Sequence, residues 1–433
     1  MSPSARYAKK HAKARQRRRL QAQDRLARDR RKAQRAAEAL HQALEDLGLP
    51  ANLVVEIEGR LRSQQKLLGK IVGVRFPALF GCRTPSELCR VRGWALHWPS
   101  RILRALPTRS WLKRLRRLAL EVLELIWRHV AHTSPATQSH WQWTWVWDAS
   151  MLHQYGEQLG LVGRWWSGQH KRVLSGIDGL LLLVVIGDGR LVVPVDWAIR
   201  RPDPVGPGAP CRDKLTWARL MLDERLAALR RRGVNLPPPM VVAESWLSDA
   251  QLMQPVHQAH QGTVLVEGKQ SYTFTLADGH KVKGQDCIHG QGWHWRQHPW
   301  EAGVYYVRLR ATSPTYGQVT VVIVDEPGQD RFYVLGRETA LSAPHLIRRW
   351  RRRTWIEFVL RTLKHLLATE SCQAHSEDAY YGHLVLRLMG CFVLFYTSRV
   401  ICKGSLTMEE IIFSLKHYWR FVDAEALELQ ALS

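Results

Sequence analysis

"WQWTWVWDAS" (residues 141–150) decides how the rest of the chain is read. Trp141, Trp143, Trp145 and Trp147 recur at period two, so four indoles share one face of an extended strand. Four large apolar rings on one face are read as core packing in preference to a base-stacking ladder. The strand ends on Asp148, a carboxylate at the tip of an otherwise apolar segment. In open α/β sheets, working groups tend to sit at the C-terminal tips of strands.

Further strands follow. "GLLLLVVI" (179–186), the turn "GDGR" and "LVVPVDWAI" (191–199) predict a hairpin, since Asp-Gly tolerates the positive φ of a tight turn. "RDKLTWARLMLDERLAALRRRG" (212–233) predicts an amphipathic helix with Arg in its last turn and Gly233 at its end. "PPPMVVAES" (237–245) then enters a fourth, wholly apolar strand that stops on Glu244. The order is three strands, a helix and a fourth strand. If the first and fourth strands are parallel neighbours, Asp148 and Glu244 converge at one edge of the sheet.

The bulk composition fits a nucleic-acid partner. A formal charge of +25 over 433 residues calls for a polyanion. Fourteen Lys and Arg against two Asp fall within residues 1–36, which are read as a basic, flexible arm able to dock on phosphates. Residues 37–135 carry apolar and basic residues at helical spacing and are read as a helical DNA-binding domain. The seven cysteines are scattered without a C-x-x-C, as expected of free thiols in a reducing compartment. No apolar signal segment opens the chain, and the most apolar run (384–402) carries Arg387 and Arg399, so it reads as a core helix. The expectation is a cytoplasmic protein without a membrane partner.

Residues 263–336 are strand-rich and read as a β subdomain inserted after the fourth strand. Within it lie Cys287, His289, His294 and His298. Their spacings match no regular tetrahedral zinc site, so this stretch reads as a polar hairpin. Residues 345–369, "HLIRRWRRRTWIEFVLRTLKHLLAT", predict a helix with one broad apolar face. Arg353, Glu357, Arg361 and Lys364 fall on another stripe. Taken alone, Glu357 is a partner for Arg353 and Arg361 at i−4 and i+4.

The spacing Trp350-x2-Arg353-x3-Glu357-x6-Lys364 resembles the Tyr-Arg-Glu-Lys signature of bacterial insertion-sequence transposases with a DDE active site on an RNase H-like fold. "WVWDAS", "VVAESW" and "WIEFVLRTLK" occur in the order that family requires, and the likeness covers roughly residues 140–415. The resemblance implies an α/β fold with an RNase H-like mixed sheet flanked by helices. Its core would span 140–262 and 337–425 around the inserted β subdomain, with an N-terminal helical region before it. It implies DNA cleavage and strand joining with two Mg²⁺ ions (Mn²⁺ as a substitute), a homodimer on double-stranded DNA, and a nucleoid-associated location in a bacterial cell. Asp148 would bridge both ions, and Glu244 and Glu357 would each hold one. Arg353 and Lys364 would hold DNA phosphates, with Arg361, Trp246 and Trp350 as further DNA contacts.

Trp350 stands where the family has Tyr, and Glu244 stands where it has Asp. The extra methylene moves the carboxylate by about 1.5 Å. Three readings stay open at this position: a working Asp-Glu-Glu set, a copy that binds DNA without cutting it, or Asp249 acting from the next turn. A stand-alone nuclease on the same core is a further alternative, as is a basic DNA- or RNA-binding protein whose acid spacing is accidental.

Overall fold

The structure, a computed structural model, describes residues 3–47, 85–131, 141–153, 159–167, 170–201, 213–290, 292–337, 340–372 and 374–415. The chain forms two compact units, Met1–Ala105 with Val393–Ser433, and Leu106–Phe392.

In the first unit, Pro3–Asp46 is one 44-residue helix, α1. Residues 4–46 contain neither Gly nor Pro and are rich in Ala, Arg, Lys and Gln, all strong helix formers. From Pro3 onward, the basic segment read as a flexible arm therefore lies in a helix. Ala33, Ala36, Leu40 and Ala43 form its buried stripe. On its flank, Lys32 pairs with Glu410 at 2.6 Å and Arg35 donates to Ser405 Oγ at 3.0 Å. Two short helices, α2 (Pro85–Val91) and α3 (Trp98–Arg104), belong to the same unit.

The second unit is built on one twelve-stranded mixed sheet. Its strands are β1 (Trp143–His153), β2 (Gly163–Ser167), β3 (Arg172–Ile186), β4 (Leu191–Arg200), β5 (Met240–Ala243) and β6 (Thr263–Glu267). They continue with β7 (Thr273–Leu276), β8 (Lys281–Lys283), β9 (Arg296–Gln297), β10 (Tyr305–Ser313), β11 (Gly317–Asp325) and β12 (Phe332–Arg337). The centre runs β4-β3-β1-β5-β6, with β1, β5 and β6 mutually parallel and β3 antiparallel to β1. Trp145 and Trp147 are fully buried, consistent with core packing of the indole face.

The strand-rich segment 263–336 does not stand apart as a subdomain. β6 pairs parallel to β5, and its other edge is taken by β12, so β12, β11, β10, β7 and β8 prolong the same sheet. An uncovered β6 edge would leave a row of backbone donors and acceptors unpaired, and β12 satisfies them. The segment around Cys287 is likewise not a plain hairpin, because Gly284–His289 is helical.

Helices cover the sheet. They are α4 (Thr108–Ala131), α5 (Lys214–Arg231), α6 (Ala250–His260), α7 (Gly284–His289), α8 (Ala343–Trp350) and α9 (Thr354–Arg361); α10 (Glu377–Tyr396) follows them in the chain. The helical region expected over 37–135 is thus divided, since α4 belongs with the sheet. Its anchor is Asp196 on β4, fully buried, which accepts from Arg116 of α4 at 2.8 Å and lies 3.6 Å from Arg225 of α5. Residues 48–84 and 132–135 of that expected domain lie outside the described residues. The stretch Glu377–Ile401 is long and apolar enough to cross a membrane by composition, but 78% of its most apolar window is buried inside the protein.

The predicted helix over 345–369 changes winding along its length. α8 passes through a 3₁₀ turn at Arg351–Arg353 into α9, and α9 into a π turn at Thr362–Leu366. At the tight turn three consecutive arginines reach three places: Arg351 to Glu326, Arg352 to Thr144 and Asp188, and Arg353 to Glu244. Tertiary partners, not helix propensity, set the local winding there.

Candidate active site

Parallel pairing places three carboxylates in one row. Trp147 of β1 pairs with Ala243 of β5, and Ala243 pairs with Val266 of β6. The next residue on each strand is an acid: Asp148, Glu244 and Glu267. Neighbouring strands lie about 4.8 Å apart and registered residues face the same way, so all three acids line one face. Glu244 and Glu267 stand at the ends of β5 and β6, whereas β1 does not end on Asp148 as expected but runs on to His153, because β3 pairs with it along its whole length. Glu244 keeps extended backbone (φ −70°, ψ 164°) immediately before the turn Ser245–Leu247, so its side chain leaves from the strand end. The expected convergence of Asp148 and Glu244 is therefore what the sheet provides.

Asp148 is 5% exposed, and its Oδ1 is buried without a hydrogen-bond partner among the described residues. Burial holds its carboxyl well above the usual carboxylate range. The charge of Glu244 pushes the same way, whereas Arg353 and the Ala149 amide oppose it. The Glu267 carboxyl is also raised, first by burial, with Arg353 opposing and the charges of Glu244 and Glu357 adding to the rise.

The fourth acid comes from the helical run above the sheet. Asp148 and Thr144 share one face of β1, opposite the buried indoles. The run is fixed along that face at two points. At one, Arg352 donates to Thr144 Oγ1 at 2.8 Å and to Asp188 at 3.0 Å. At the other, Lys364 Nζ donates to the Met151 carbonyl at 2.9 Å. Between these points Arg353 faces the acids. Its Nη2 donates to Glu244 and to Glu357 at 2.8 Å each, and its Nη1 lies 3.8 Å from Glu267. One guanidinium thus faces carboxylates from two strands and a helix, and Asp148 feels the same charge.

The first support is reinforced by the turn joining β3 and β4. Gly189 there has φ +80°, and a Cβ on it would meet the Trp355 indole at 2.0 Å. Only glycine allows the turn and α9 to approach this closely. Asp188 of the same turn accepts from both Arg348 and Arg352.

The structure brings Asp148, Glu244, Glu357 and Arg353 together, and Lys364 joins them at the edge of an adjacent cleft. That cleft, of about 560 Å³, is lined by Asp148, Glu244, Lys364 and Trp246 among others. Lys214 sits over the Trp246 ring at 5.0 Å. Arg361 is exposed on α9. Trp350 lies on the apolar side of the run. It packs on Phe332 at 4.7 Å between ring centroids, against the apolar cluster of Leu346, Val324 and Val334. The apolar side of α8 has to be buried, and Trp350 lies on it. Asp249 caps α6 by accepting from the Gln251 amide at 2.8 Å, which accounts for its position. Cys287 is buried, with burial pushing its thiol up to about 12, and His298 is buried too, whereas His289 and His294 are exposed.

Sequence reading missed Glu267, although "TVLVEG" (263–268) ends an apolar strand on an acid just as "VVAES" does. It also missed the far wall of the cleft, where Asp178 pairs with Lys214 at 2.6 Å and His153 lies edge-on to His170 at 5.7 Å. These contacts join distant chain segments and leave no local pattern.

An all-oxygen donor set with one orphaned buried oxygen suits a hard divalent cation. In this arrangement the guanidinium of Arg353 lies among those donors, and among the described residues no three metal-binding side chains converge tightly around one point. No family model matches this chain, and no curated protein matches it significantly.

Proposed function

We propose that the protein is a DNA transposase of the DDE type, cutting the ends of its mobile element and joining them to target DNA. The observation that carries this reading is the meeting of Asp148, Glu244 and Glu357 around Arg353. These acids come from three distant parts of the chain, in the order the resemblance implies. The order β4-β3-β1-β5-β6, with β3 antiparallel, agrees with the β-β-β-α-β core expected of an RNase H-like fold. A charge of +25 suits a phosphate backbone.

Asp148, Glu244 and Glu357 would hold two Mg²⁺ ions. When bound, these ions activate the attacking oxygen and stabilise the leaving one. The protein's own part is positional. The parallel pairing of β1 and β5 fixes Asp148 and Glu244 relative to each other, and the helical run sets Glu357 against them. Lys364, at the cleft edge, offers a cation to a phosphate. Arg353 has the same capacity once a phosphate competes with Glu244 and Glu357 for its guanidinium. Trp350 supports Arg353 from the core side, its ring 5.8 Å from the guanidinium, in place of stacking on a base.

The test uses purified protein, DNA carrying the flanking inverted repeats, and Mg²⁺ or Mn²⁺. Cleavage at the repeat ends that is lost in Asp148→Ala and Glu357→Ala supports the reading. Cleavage of unrelated DNA without joining would replace it with a stand-alone nuclease. A second reading, a transposase-derived protein that binds DNA without cutting, is favoured by Glu in place of Asp at 244 and by the ion pair that engages it. Binding without cleavage, with cleavage restored by Glu244→Asp, would establish that alternative.

A further inference from the structure

We propose that Glu267 is a fourth carboxylate ligand of the divalent-cation site, an inference that rests on the proposed two-metal reading. Three independent observations place it there. Its register puts it beside Glu244, one residue beyond the Ala243–Val266 pair, just as Asp148 stands one residue beyond the Trp147–Ala243 pair. It shares Arg353 with Glu244 and Glu357, at 3.8 Å from Nη1. Asp148, which feels the charges of Glu244, Glu357 and the same Arg353, has a buried Oδ1 without a partner among the described residues.

Charge balance leads to the same assignment. Four carboxylates face one guanidinium, so ionising all of them leaves a deficit of three positive charges. Like charges this close raise one another's proton affinity unless cations neutralise them. Two divalent ions supply enough charge, and Glu267 is 41% exposed, so an ion can reach it from solvent. Its position also bears on Glu244. A glutamate there is one methylene longer than the expected aspartate, so its carboxylate stands further from the β5 tip. Glu267, on the neighbouring strand and beside the same guanidinium, is available to the coordination shell around it. A metal set spread over three parallel strands and a helix is the result.

The experiment counts Mn²⁺ bound to the full-length protein by electron paramagnetic resonance, without DNA. Wild type, Glu267→Gln, Glu267→Asp and Asp148→Asn are compared, each with a melting temperature in chelator. The expected result is Mn²⁺ binding by wild type, its loss in Asp148→Asn, and an affinity roughly 10–100-fold weaker in Glu267→Gln. Glu267→Asp should fall between wild type and Glu267→Gln. Wild-type affinity in Glu267→Gln, with binding lost in Asp148→Asn, overturns the role of Glu267 and leaves the two-metal reading standing. No binding by wild type, or binding that survives Asp148→Asn, overturns both. A Glu267→Gln chain that melts lower in chelator, beside a Glu267→Asp chain with full affinity, would mark Glu267 as a brace for Arg353 and overturn the ligand assignment.

Discussion

Arg353 holds Glu244 through the same nitrogen it gives to Glu357, with both contacts at 2.8 Å. Arg353, 109 residues further along the chain than Glu244, thereby joins a strand tip to a helix. Arg353→Ala leaves the carboxylates facing one another without a counter-ion. The expected cost is about 1–3 kcal/mol of stability in chelator. Millimolar Mg²⁺ should recover part of it, because the ion replaces the lost charge. Thermal melts with and without Mg²⁺ check this, and equal losses in both conditions would refute it. Arg353→Lys should restore only part of the stability, since an ammonium cannot fork between several carboxylates in the same way.

Asp148 predicts a pH dependence. Its carboxyl is raised in the folded chain, so the folded state keeps a proton that the unfolded chain has already released. Stability contributed by this group is present below the unfolded value, about 3.9, and is lost as pH rises through the folded value. Asp148→Asn should therefore raise the melting temperature of the metal-free protein at pH 7.5. The gain should shrink as pH falls toward 4. A gain that grows on acidification would contradict the burial argument.

Asp196 has a structural task and no place in the cleft. It is fully buried and ties α4 and α5 to β4 through Arg116 and Arg225. Asp196→Ala removes the buried charge that Arg116 and Arg225 share, leaving Arg225 only its exposed partner Glu224, and should cost about 3–5 kcal/mol. Denaturant titration measures the loss. Mn²⁺ affinity should stay unchanged under conditions where the variant remains folded.

Trp350 separates two roles that its sequence position confounds. Packed on Phe332, it predicts that Trp350→Ala lowers stability by about 2–4 kcal/mol. A tryptophan that served only DNA would leave the free protein's melting point unchanged and weaken binding alone. Melting of the free protein decides between them, and Trp350→Phe should recover much of the stability.

Much of this site was legible because its acids end apolar segments. Asp148 and Glu244 each follow a run of buried strand residues, and Glu357 sits among cations at helical spacing. The strand order emerged from the same periodicities. Glu267 carried the same signal but fell in a stretch read as an insertion, because nothing local tells a core strand from an added one. Pairing of β12 with β6 is a long-range event, and it turned an expected subdomain into an extension of the sheet. The supports of the helical run were equally hidden. Arg352 and Asp188 stand 164 residues apart, and only the fold joins them. Trp350 was read from its neighbours as a DNA contact, and its packing on Phe332 is a long-range contact that leaves no local pattern.

The four acids are held by two different kinds of structure. Asp148, Glu244 and Glu267 are carried on adjoining strands, where the backbone ladder fixes their spacing. Glu357 is carried on a helix that buries Ile356, Val359 and Leu360 and is fastened on either side by Arg352 to Thr144 and Lys364 to the Met151 carbonyl. The arrangement works as a rigid rail with one clamped jaw. Loosening either fastening would change the alignment of Glu357 while leaving the rail intact. Substitutions far from the acids, at Thr144 or in the Asp188–Gly189 turn, should therefore act as alignment defects of a single carboxylate, without collapsing the whole cluster.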